Sequence, residues 1–133
     1  MRMYEKYMIM TRGFKNVRRD GEVEGFQFNI RTTYYRGVYL AIIGGIEVSV
    51  DGENFQPGQI RVAFGGRDFT LDEMAREETA RWPFGDPATV TVLKKGGLRP
   101  GIHEISVTQV IKPAYMPARG FVANAQKRIT VVQ

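Results

Sequence analysis

The chain has 133 residues, of which 43% are apolar, and its formal net charge at pH 7 is +5. This size and composition predict one ordinary folded domain and exclude a disordered or low-complexity chain. The sequence contains no cysteine and one histidine, which excludes disulfides, thiolate catalysis and zinc sites built from several Cys or His residues of one chain. We expect a cytoplasmic protein with neither a membrane-spanning helix nor a secretory signal.

Period-two alternation of apolar and polar residues is the dominant pattern along the chain. In its first clear segment, Phe26, Phe28 and Ile30 fall on one side of an extended strand. Such alternation is typical of a sheet with one face in a core and the other face exposed. Further segments with this pattern begin at Ile46, Ile60, Val90 and Ile129.

Turn-forming residues separate these segments. Asp20-Gly21 and Asp51-Gly52 tolerate the positive φ angles of two-residue hairpins. Gly65-Gly66 suggests a third hairpin, and the glycines and proline over residues 96–101 mark a longer connection. This spacing predicts seven to nine strands in an all-β, antiparallel two-layer β-sandwich that is jelly-roll-like and forms a single domain over residues 1–133. A small barrel is the main alternative.

One segment has the features of a short helix. Thr70 and Glu73 stand at the spacing of a capping box, in which each side chain accepts a hydrogen bond from a free backbone N–H group. Pro83 ends the pattern soon afterwards. We predict one helix over about residues 71–80 that closes one end of the sandwich.

Few residues in the chain are candidates for chemistry. His103 could act as a general base or contact a substrate, but no paired acid or hydroxyl stands at the spacing of a catalytic motif. A partly buried histidine that is hydrogen-bonded to the backbone is the favoured interpretation. The acids near the predicted helix match no calcium-loop spacing, so a capping and solvated role is favoured over a metal site. These acids are Asp68, Asp72, Glu73, Glu77 and Glu78.

Basic residues are frequent in the N-terminal third and are interleaved with aromatic residues. Such a combination can bind phosphates and stack on bases. However, Phe26 and Phe28 alternate like core residues, and the acids Asp20, Glu22 and Glu24 dilute the positive patch. We therefore expect no nucleic-acid partner and no membrane partner.

Two segments, 31–39 and 112–121, are unusual for a solvated β domain. The first is rich in tyrosine and arginine, and two prolines stiffen the second. Tyrosine and arginine often anchor interfaces, and tyrosine also stacks on sugar rings. A long hairpin with ordinary core aromatics explains these segments equally well. The residues predicted to form a subunit interface or a substrate entrance are Tyr34, Tyr35, Arg36, Tyr115, Met116 and Arg119.

In several stretches the chain resembles the small, or beta, subunit of bacterial C-glycoside deglycosidases. Together the stretches span most of the chain in the order that is found in the family. They are GFKN (13–16), GFQFNIRTTYYRG (25–37), IEVSVDG (46–52), RWPFGDPATVTV (81–92), KKGGLRPGIHEISV (94–107) and AYMP (114–117).

The resemblance implies a β-sandwich subunit bound to a catalytic alpha subunit with a sugar-isomerase-like TIM barrel. In that family the pair cleaves the carbon–carbon bond between a 3-oxo-sugar and an aromatic, flavonoid-type aglycone by base-assisted elimination. A divalent metal, typically manganese, and the base belong to the alpha subunit. The resemblance therefore implies no cofactor and no catalytic residue in this chain, which would stabilise the alpha subunit and shape its substrate entrance.

Two other classes of function are alternatives to this interpretation. A free-standing β-sandwich that binds a glycoside, without catalysis and without an obligate partner, is the main alternative. An independent hydrolase would need two carboxylates that face one cleft, and the alternation gives no reason to propose such a pair.

Overall fold

The described part of the chain consists almost entirely of β-strands. A computed structural model describes residues 8–10, 14–31, 38–39, 43–64, 67–76, 81–82, 87–111 and 121–131. These residues contain eleven strands, more than the predicted seven to nine, and three of the eleven have only two residues each. The strands are β1 (Lys15–Arg19), β2 (Glu22–Ile30), β3 (Val38–Tyr39), β4 (Ile43–Val50), β5 (Glu53–Asn54), β6 (Ile60–Phe64), β7 (Arg67–Thr70), β8 (Arg81–Trp82), β9 (Ala88–Leu93), β10 (Gly101–Ile111) and β11 (Phe121–Val131).

These strands form two main sheets. The first sheet has the strand order β1-β2-β9-β6-β7, the second has the order β11-β10-β4-β5, and β3 pairs with β8 separately. Every strand pair is antiparallel. Among the described strands, the chain enters the second sheet after β2, returns after β5 and crosses again after β9. The prediction of an all-β, antiparallel two-layer sandwich is confirmed.

The core lies between the two sheets, on the side of each strand that the alternation predicts. From the first sheet, Phe26, Phe28 and Ile30 are fully buried, and from the second sheet Ile105 and Val107 are fully buried. Full burial of an apolar side chain of this size stabilises the fold by about 1.5–3 kcal/mol. The alternating residues therefore fix which face of each sheet points inward.

Tight turns join the strands at the predicted dipeptides. Asp20 and Gly21 have φ angles of 51° and 82°, and Asp51 and Gly52 have φ angles of 51° and 86°. Two successive positive φ angles define the turn that matches the twist of a two-residue hairpin. Gly65-Gly66 lies outside the described residues.

The helix α1 spans Leu71–Arg76 and begins with the predicted capping box. The Thr70 backbone N–H donates to Glu73 Oε1 at 2.9 Å, and the Glu73 N–H donates to Thr70 Oγ1 at 3.1 Å. The backbone N–H of Thr70, and then its side chain, lower the pKa of Glu73. The helix lies near β4, β6 and β7, and the rest of the predicted segment, residues 77–80, lies outside the described residues. In the described part of the chain, no helix has the length and apolar character needed to cross a membrane.

Candidate functional site

His103 lies at the end of the sandwich that carries the Asp51-Gly52 turn. Its Nδ1 is 2.6 Å from Asp51 Oδ2, and its Nε2 is 2.7 Å from the carbonyl oxygen of Arg99. Only 13% of the His103 side chain is exposed, against 51% of the Asp51 side chain. Sequence spacing gives no sign of this acid, because the register between β4 and β10 brings it to the histidine from 52 residues away.

The partners of His103 match the protonated imidazole. A carboxylate and a carbonyl only accept hydrogen bonds, so both ring nitrogens can be satisfied only as donors. The Arg99 carbonyl, and then the Asp51 carboxylate, raise the pKa of His103 against the effect of partial burial. The Glu104 backbone N–H, which donates to Asp51 Oδ1 at 2.8 Å, and then His103 lower the pKa of Asp51. A general base needs a free nitrogen lone pair, so this geometry favours a structural role for His103.

The opposite end of the sandwich, which we call the far end, gathers strand ends from both sheets. In the first sheet, Ile30 at the end of β2 pairs with Ala88 at the start of β9. In the second sheet, Ile111 at the end of β10 pairs with Ile43 at the start of β4 and with Phe121 at the start of β11. At the far end, therefore, the chain leaves the first sheet after β2, enters the second sheet at β4 and connects β10 to β11.

The six predicted interface residues lie outside the described residues, but the described residues that flank their segments lie at the far end. The first segment follows Arg31, which comes directly after β2. The second segment connects Ile111 to Phe121. The positions of the six side chains therefore stay a prediction. What the structure describes is that both segments begin at the same end of the sandwich.

A hydrogen bond joins these two exits across the sheets. Gln109, near the end of β10, donates from Nε2 to the carbonyl oxygen of Arg31 at 2.9 Å. The Gln109 side chain is fully buried, and its Oε1 has no hydrogen-bond partner among the residues that the structure describes. Gln109 is not among the residues predicted to be functional, although its alternation with Ile105 and Val107 predicts its position on the inner face of the strand.

An N-terminal segment adds to the described part of the far end. Ile9 forms a bridge with Ile30, the Met10 N–H donates to the Asn29 carbonyl at 3.0 Å, and the Arg31 N–H donates to the Met8 carbonyl at 2.8 Å. From the second sheet, Lys127 Nζ donates to the carbonyl of Ile9 at 2.9 Å. Arg31 is therefore held on both of its backbone groups, by Met8 and by Gln109.

The outer face of the second sheet carries a separate shallow groove of about 400 Å³. Hydroxyl, amide and carboxylate groups face it, and Asn124 Nδ2 next to it donates to Ser106 Oγ at 3.0 Å and to Thr108 Oγ1 at 2.8 Å. Such groups can exchange hydrogen bonds with sugar hydroxyls. The groove is lined by Ile46, Glu47, Val48, Ser49, Asn54, Phe55, Pro57, Ser106 and Thr108.

Within the described ranges, no three His, Asp or Glu side chains come close enough together to hold a metal ion. Two of the described acids have structural partners instead, since Asp51 binds His103 and Glu73 caps α1. Of the acids singled out in the sequence, Glu77 and Glu78 lie outside the described residues.

The fold and the geometry at its two ends define a small all-β sandwich protein. The family model for the C-glycoside deglycosidase beta subunit matches residues 4–115. The chain therefore belongs to this family, as the resemblance predicted. The match ends at Tyr115, so that Met116 and Arg119 lie beyond it.

Two relatives agree with this assignment. The chain is 35% identical over 114 residues to the C-glycoside deglycosidase beta subunit of Eubacterium cellulosolvens, and the alignment covers 85% of this chain and 78% of that protein. It is 32% identical over 111 residues to the 3'-dehydrocarminate deglycosidase beta subunit of a Microbacterium species, with 80% and 83% covered.

Proposed function

We propose that this chain is the beta subunit of a C-glycoside deglycosidase and acts with a catalytic alpha subunit of the sugar-isomerase-like TIM-barrel type. Its membership of the beta-subunit family, over residues 4–115, is the observation that carries this proposal. The substrate of the pair is a 3-oxo-sugar joined by a carbon–carbon bond to an aromatic, flavonoid-type aglycone. The beta subunit stabilises the alpha subunit and shapes the entrance to its active site.

The proposed reaction is an elimination. The 3-oxo group acidifies the proton on C2 of the sugar, and a base removes that proton. The electron pair of the broken C2–H bond forms a double bond between C1 and C2, while the bond from C1 to the aglycone breaks. The aglycone carbon keeps the electron pair of the broken C1–aglycone bond and takes up a proton, so the products are a sugar enone and the free aglycone.

We assign the base and the divalent metal, typically manganese, to the alpha subunit. The metal would polarise the oxygens of the oxidised sugar. The only histidine of this chain, His103, supports the assignment of the base, because both of its ring nitrogens already face acceptors. A cytoplasmic location of the complex stays a prediction that rests on the cysteine-free sequence.

We place the contact with the alpha subunit at the far end. Both segments rich in interface-type residues leave the sandwich there, and the hydrogen bond from Gln109 to Arg31 links their starting points. An interface composed of two segments from one end can present tyrosine and arginine side chains together, and these residue types are enriched among the residues that contribute most to binding. The predicted contacts are Tyr34, Tyr35, Arg36, Tyr115, Met116 and Arg119.

Co-expression with an alpha subunit of the sugar-isomerase-like barrel type tests the proposal. We expect the two chains to co-purify, and the complex to release the aglycone from a 3-oxo-C-glycoside. The barrel expressed without this chain should be poorly soluble or inactive. Separate elution of two stable proteins, together with full activity of the barrel alone, would refute the proposed function.

The groove on the second sheet favours one alternative, a free-standing module that binds glycosides. That alternative predicts a monomer that binds sugar conjugates without a partner, and predicts that Ser106→Leu or Thr108→Leu in the groove abolishes binding. The subunit proposal predicts that these variants still assemble with the alpha subunit. Calorimetric titration of the isolated chain with a C-glycoside separates the two.

A further inference from the structure

The outer face of the second sheet carries two rows of polar side chains that cross its strands. In one row, Thr108 of β10 stands between Glu47 of β4 and Asn124 of β11. The other row lies two residues away on these strands, because side chains on one face recur at every second residue. Its members are Asn54, Ser49, Ser106 and Gln126. Most members of the two rows line the groove of this sheet, and the only charged one is Glu47.

One amide group fixes the hydroxyl groups of Ser106 and Thr108. Asn124 Nδ2 donates to Ser106 Oγ at 3.0 Å and to Thr108 Oγ1 at 2.8 Å. A hydroxyl group has two acceptor lone pairs and one O–H donor. Because both hydroxyls accept from Asn124, each keeps its O–H donor and one lone pair for a further partner. The amide therefore prepares two donors at a fixed spacing beside the groove.

The other polar groups of the groove come from β4 and β5. They are the carboxylate of Glu47, the hydroxyl of Ser49 and the amide of Asn54. None of these three side chains forms a hydrogen bond within the part of the chain that the structure describes. The groove therefore presents several donors and acceptors, close together and without internal partners, to a molecule that enters it.

Phe55 and Pro57 give the groove an apolar side. The Phe55 ring meets the Phe26 ring edge-on at 5.5 Å between centroids, and Lys94 Nζ lies 5.6 Å from the Phe55 centroid. Only 7% of Phe55 is exposed, so its position is set by the core and does not depend on a ligand. A rigid apolar wall beside fixed polar groups reduces the cost of ordering the site on binding.

The chemistry of the groove selects a neutral molecule that is rich in hydroxyl groups. The described residues that line it include one acid and no Lys or Arg, so the groove repels a phosphate and offers a divalent cation too few ligands. Sugar hydroxyls both donate and accept, and the C–H groups of a pyranose ring can pack against an apolar wall. The volume of about 400 Å³ lies in the range of small-molecule sites.

We propose that the groove binds one neutral pyranose, which is either a free sugar or the sugar unit of a glycoside. The Glu47 carboxylate accepts from sugar hydroxyls, the hydroxyls of Ser106 and Thr108 donate to sugar oxygens, and the ring packs against Phe55. This site goes beyond the proposed function and does not rest on it, because all of its residues lie in the described part of the second sheet and the turn after β5.

Binding at this site should be weak. A shallow groove contacts one face of one ring, so we expect a dissociation constant on the order of 1 mM. Calorimetric titration at micromolar protein does not register binding of this strength. The site thereby differs from a free-standing glycoside-binding module, which has to hold its ligand without a partner chain and therefore needs much tighter binding.

Nuclear magnetic resonance titration of the isotope-labelled chain tests the site. The methyl pyranosides of glucose, galactose and mannose serve as probes for a free sugar, and a flavonoid C-glucoside with an unoxidised sugar serves as the probe for a glycoside. We expect at least one methyl pyranoside to shift the amide signals of residues 47–49, 54–55 and 106–108. Equal affinity for the C-glucoside would identify the sugar alone as the ligand, and clearly tighter binding would identify the glycoside.

Variants of two groove residues are compared with a control on the opposite sheet. Glu47→Ala should weaken binding about tenfold, because hydrogen bonds to a charged group are strong, and Thr108→Val should weaken it about threefold. Thr91→Val should bind like the wild type. Thr91 lies between the buried residues Val90 and Val92, so its hydroxyl is on the outer face of the first sheet, away from the groove.

The remaining outcomes contradict the proposal or the proposed function separately. If no probe shifts the groove signals, or if both groove variants bind like the wild type, the sugar site is wrong. Saturation transfer to the probe is also measured in the complex with the barrel, and its loss there would show that the groove is covered and the site is wrong. If a groove variant does not fold, the shifts of the wild-type chain decide. If the chain does not bind the barrel, the proposed function fails, while titration of the free chain still decides whether the groove binds sugar.

Discussion

Asp51, in the turn after β4, and His103, on the neighbouring strand β10, lie with Oδ2 and Nδ1 2.6 Å apart. Asp51 occupies the first position of a tight turn, where φ is 51°. The same carboxylate accepts a hydrogen bond from the Glu104 N–H, and the backbone N–H of Asp51 donates to the Glu104 carbonyl at 2.8 Å. The pair therefore fixes the β4–β5 turn to the beginning of β10.

This pair predicts a dependence of stability on pH. The pKa of His103 is raised in the folded chain. Its contribution to the free energy of unfolding is therefore fully present below about pH 6.5 and is lost as the pH rises through the pKa of the folded state. The pKa of Asp51 is lowered in the folded chain. Its contribution to the free energy of unfolding is therefore present above about pH 3.8 and is lost as the pH falls through the pKa of the folded state. Stability from the pair should be largest between these limits.

Thermal unfolding as a function of pH checks this expectation. Because half of the Asp51 side chain is exposed, solvent screening limits the contribution of the pair to the free energy of unfolding to about 1 kcal/mol or less. His103→Asn should remove the loss of stability above pH 6.5, whereas Glu104→Gln, which keeps the backbone bonds to Asp51, should retain it. An identical pH profile for His103→Asn and the wild type would contradict the protonated-imidazole assignment.

Gly97 is predicted to be a sensitive position near the same end. Its φ is 60°, and a Cβ atom there would overlap Asn16 Oδ1, which accepts the Leu98 N–H at 2.9 Å. Asn16 Nδ2 also donates to the Leu98 carbonyl at 2.8 Å. We expect Gly97→Ala to lower the free energy of unfolding by about 1–3 kcal/mol, because it adds both backbone strain and a clash.

Gly58 provides a matched control for that substitution. An added Cβ at Gly58 has no heavy atom within 4 Å, so Gly58→Ala should change the free energy of unfolding little. Denaturant titration of both variants measures the difference. Equal stability of the two variants would show that the 94–101 connection can move away from Asn16 without loss.

The capping box of α1 predicts a local effect. Thr70→Ala removes the hydroxyl that accepts the Glu73 N–H, so the first turn of the helix should lose a hydrogen bond and the unfolding temperature should fall by a few degrees. Thr130→Ala, at an exposed position of β11, is the control for losing an exposed threonine hydroxyl. No difference between the two variants in thermal unfolding would count against a stabilising cap.

The proposed interface predicts losses of affinity for the alpha subunit. Tyr115→Ser and Arg119→Ser should each weaken binding of the barrel by about 2 kcal/mol, which is typical of interface anchors of these types. Arg128→Ser, an exposed arginine near the other end of β11, should not change affinity. Calorimetry with the purified alpha subunit measures these affinities. If Tyr115→Ser and Arg119→Ser both bind with wild-type affinity, the interface does not include these residues.

Much of the fold could be predicted from the sequence because its signals are local. The Asp-Gly dipeptides set both hairpin turns, alternation around Phe28 set the inner face of β2, and the spacing of Thr70 and Glu73 set the start of α1. Each of these signals lies within a few residues of the structure that it determines.

The functional features could be predicted only in part, because they depend on contacts between distant residues. The meeting of Asp51 with His103 follows from the register of β4 with β10, and spacing along the chain does not determine that register. The bond from Gln109 to Arg31 depends further on how the two sheets pack. The interface assigned to Tyr34 and its companions depends on a partner chain, so it stays a prediction.

The most direct test of the account is a titration of activity. Purified alpha subunit is mixed with increasing amounts of this chain, and release of the aglycone from a 3-oxo-C-glycoside is followed. The account predicts that this chain alone releases no aglycone, and that the rate rises with added chain and saturates when the alpha subunit is fully bound. Release of aglycone by the isolated 133-residue chain, or a rate that is independent of it, would contradict the account.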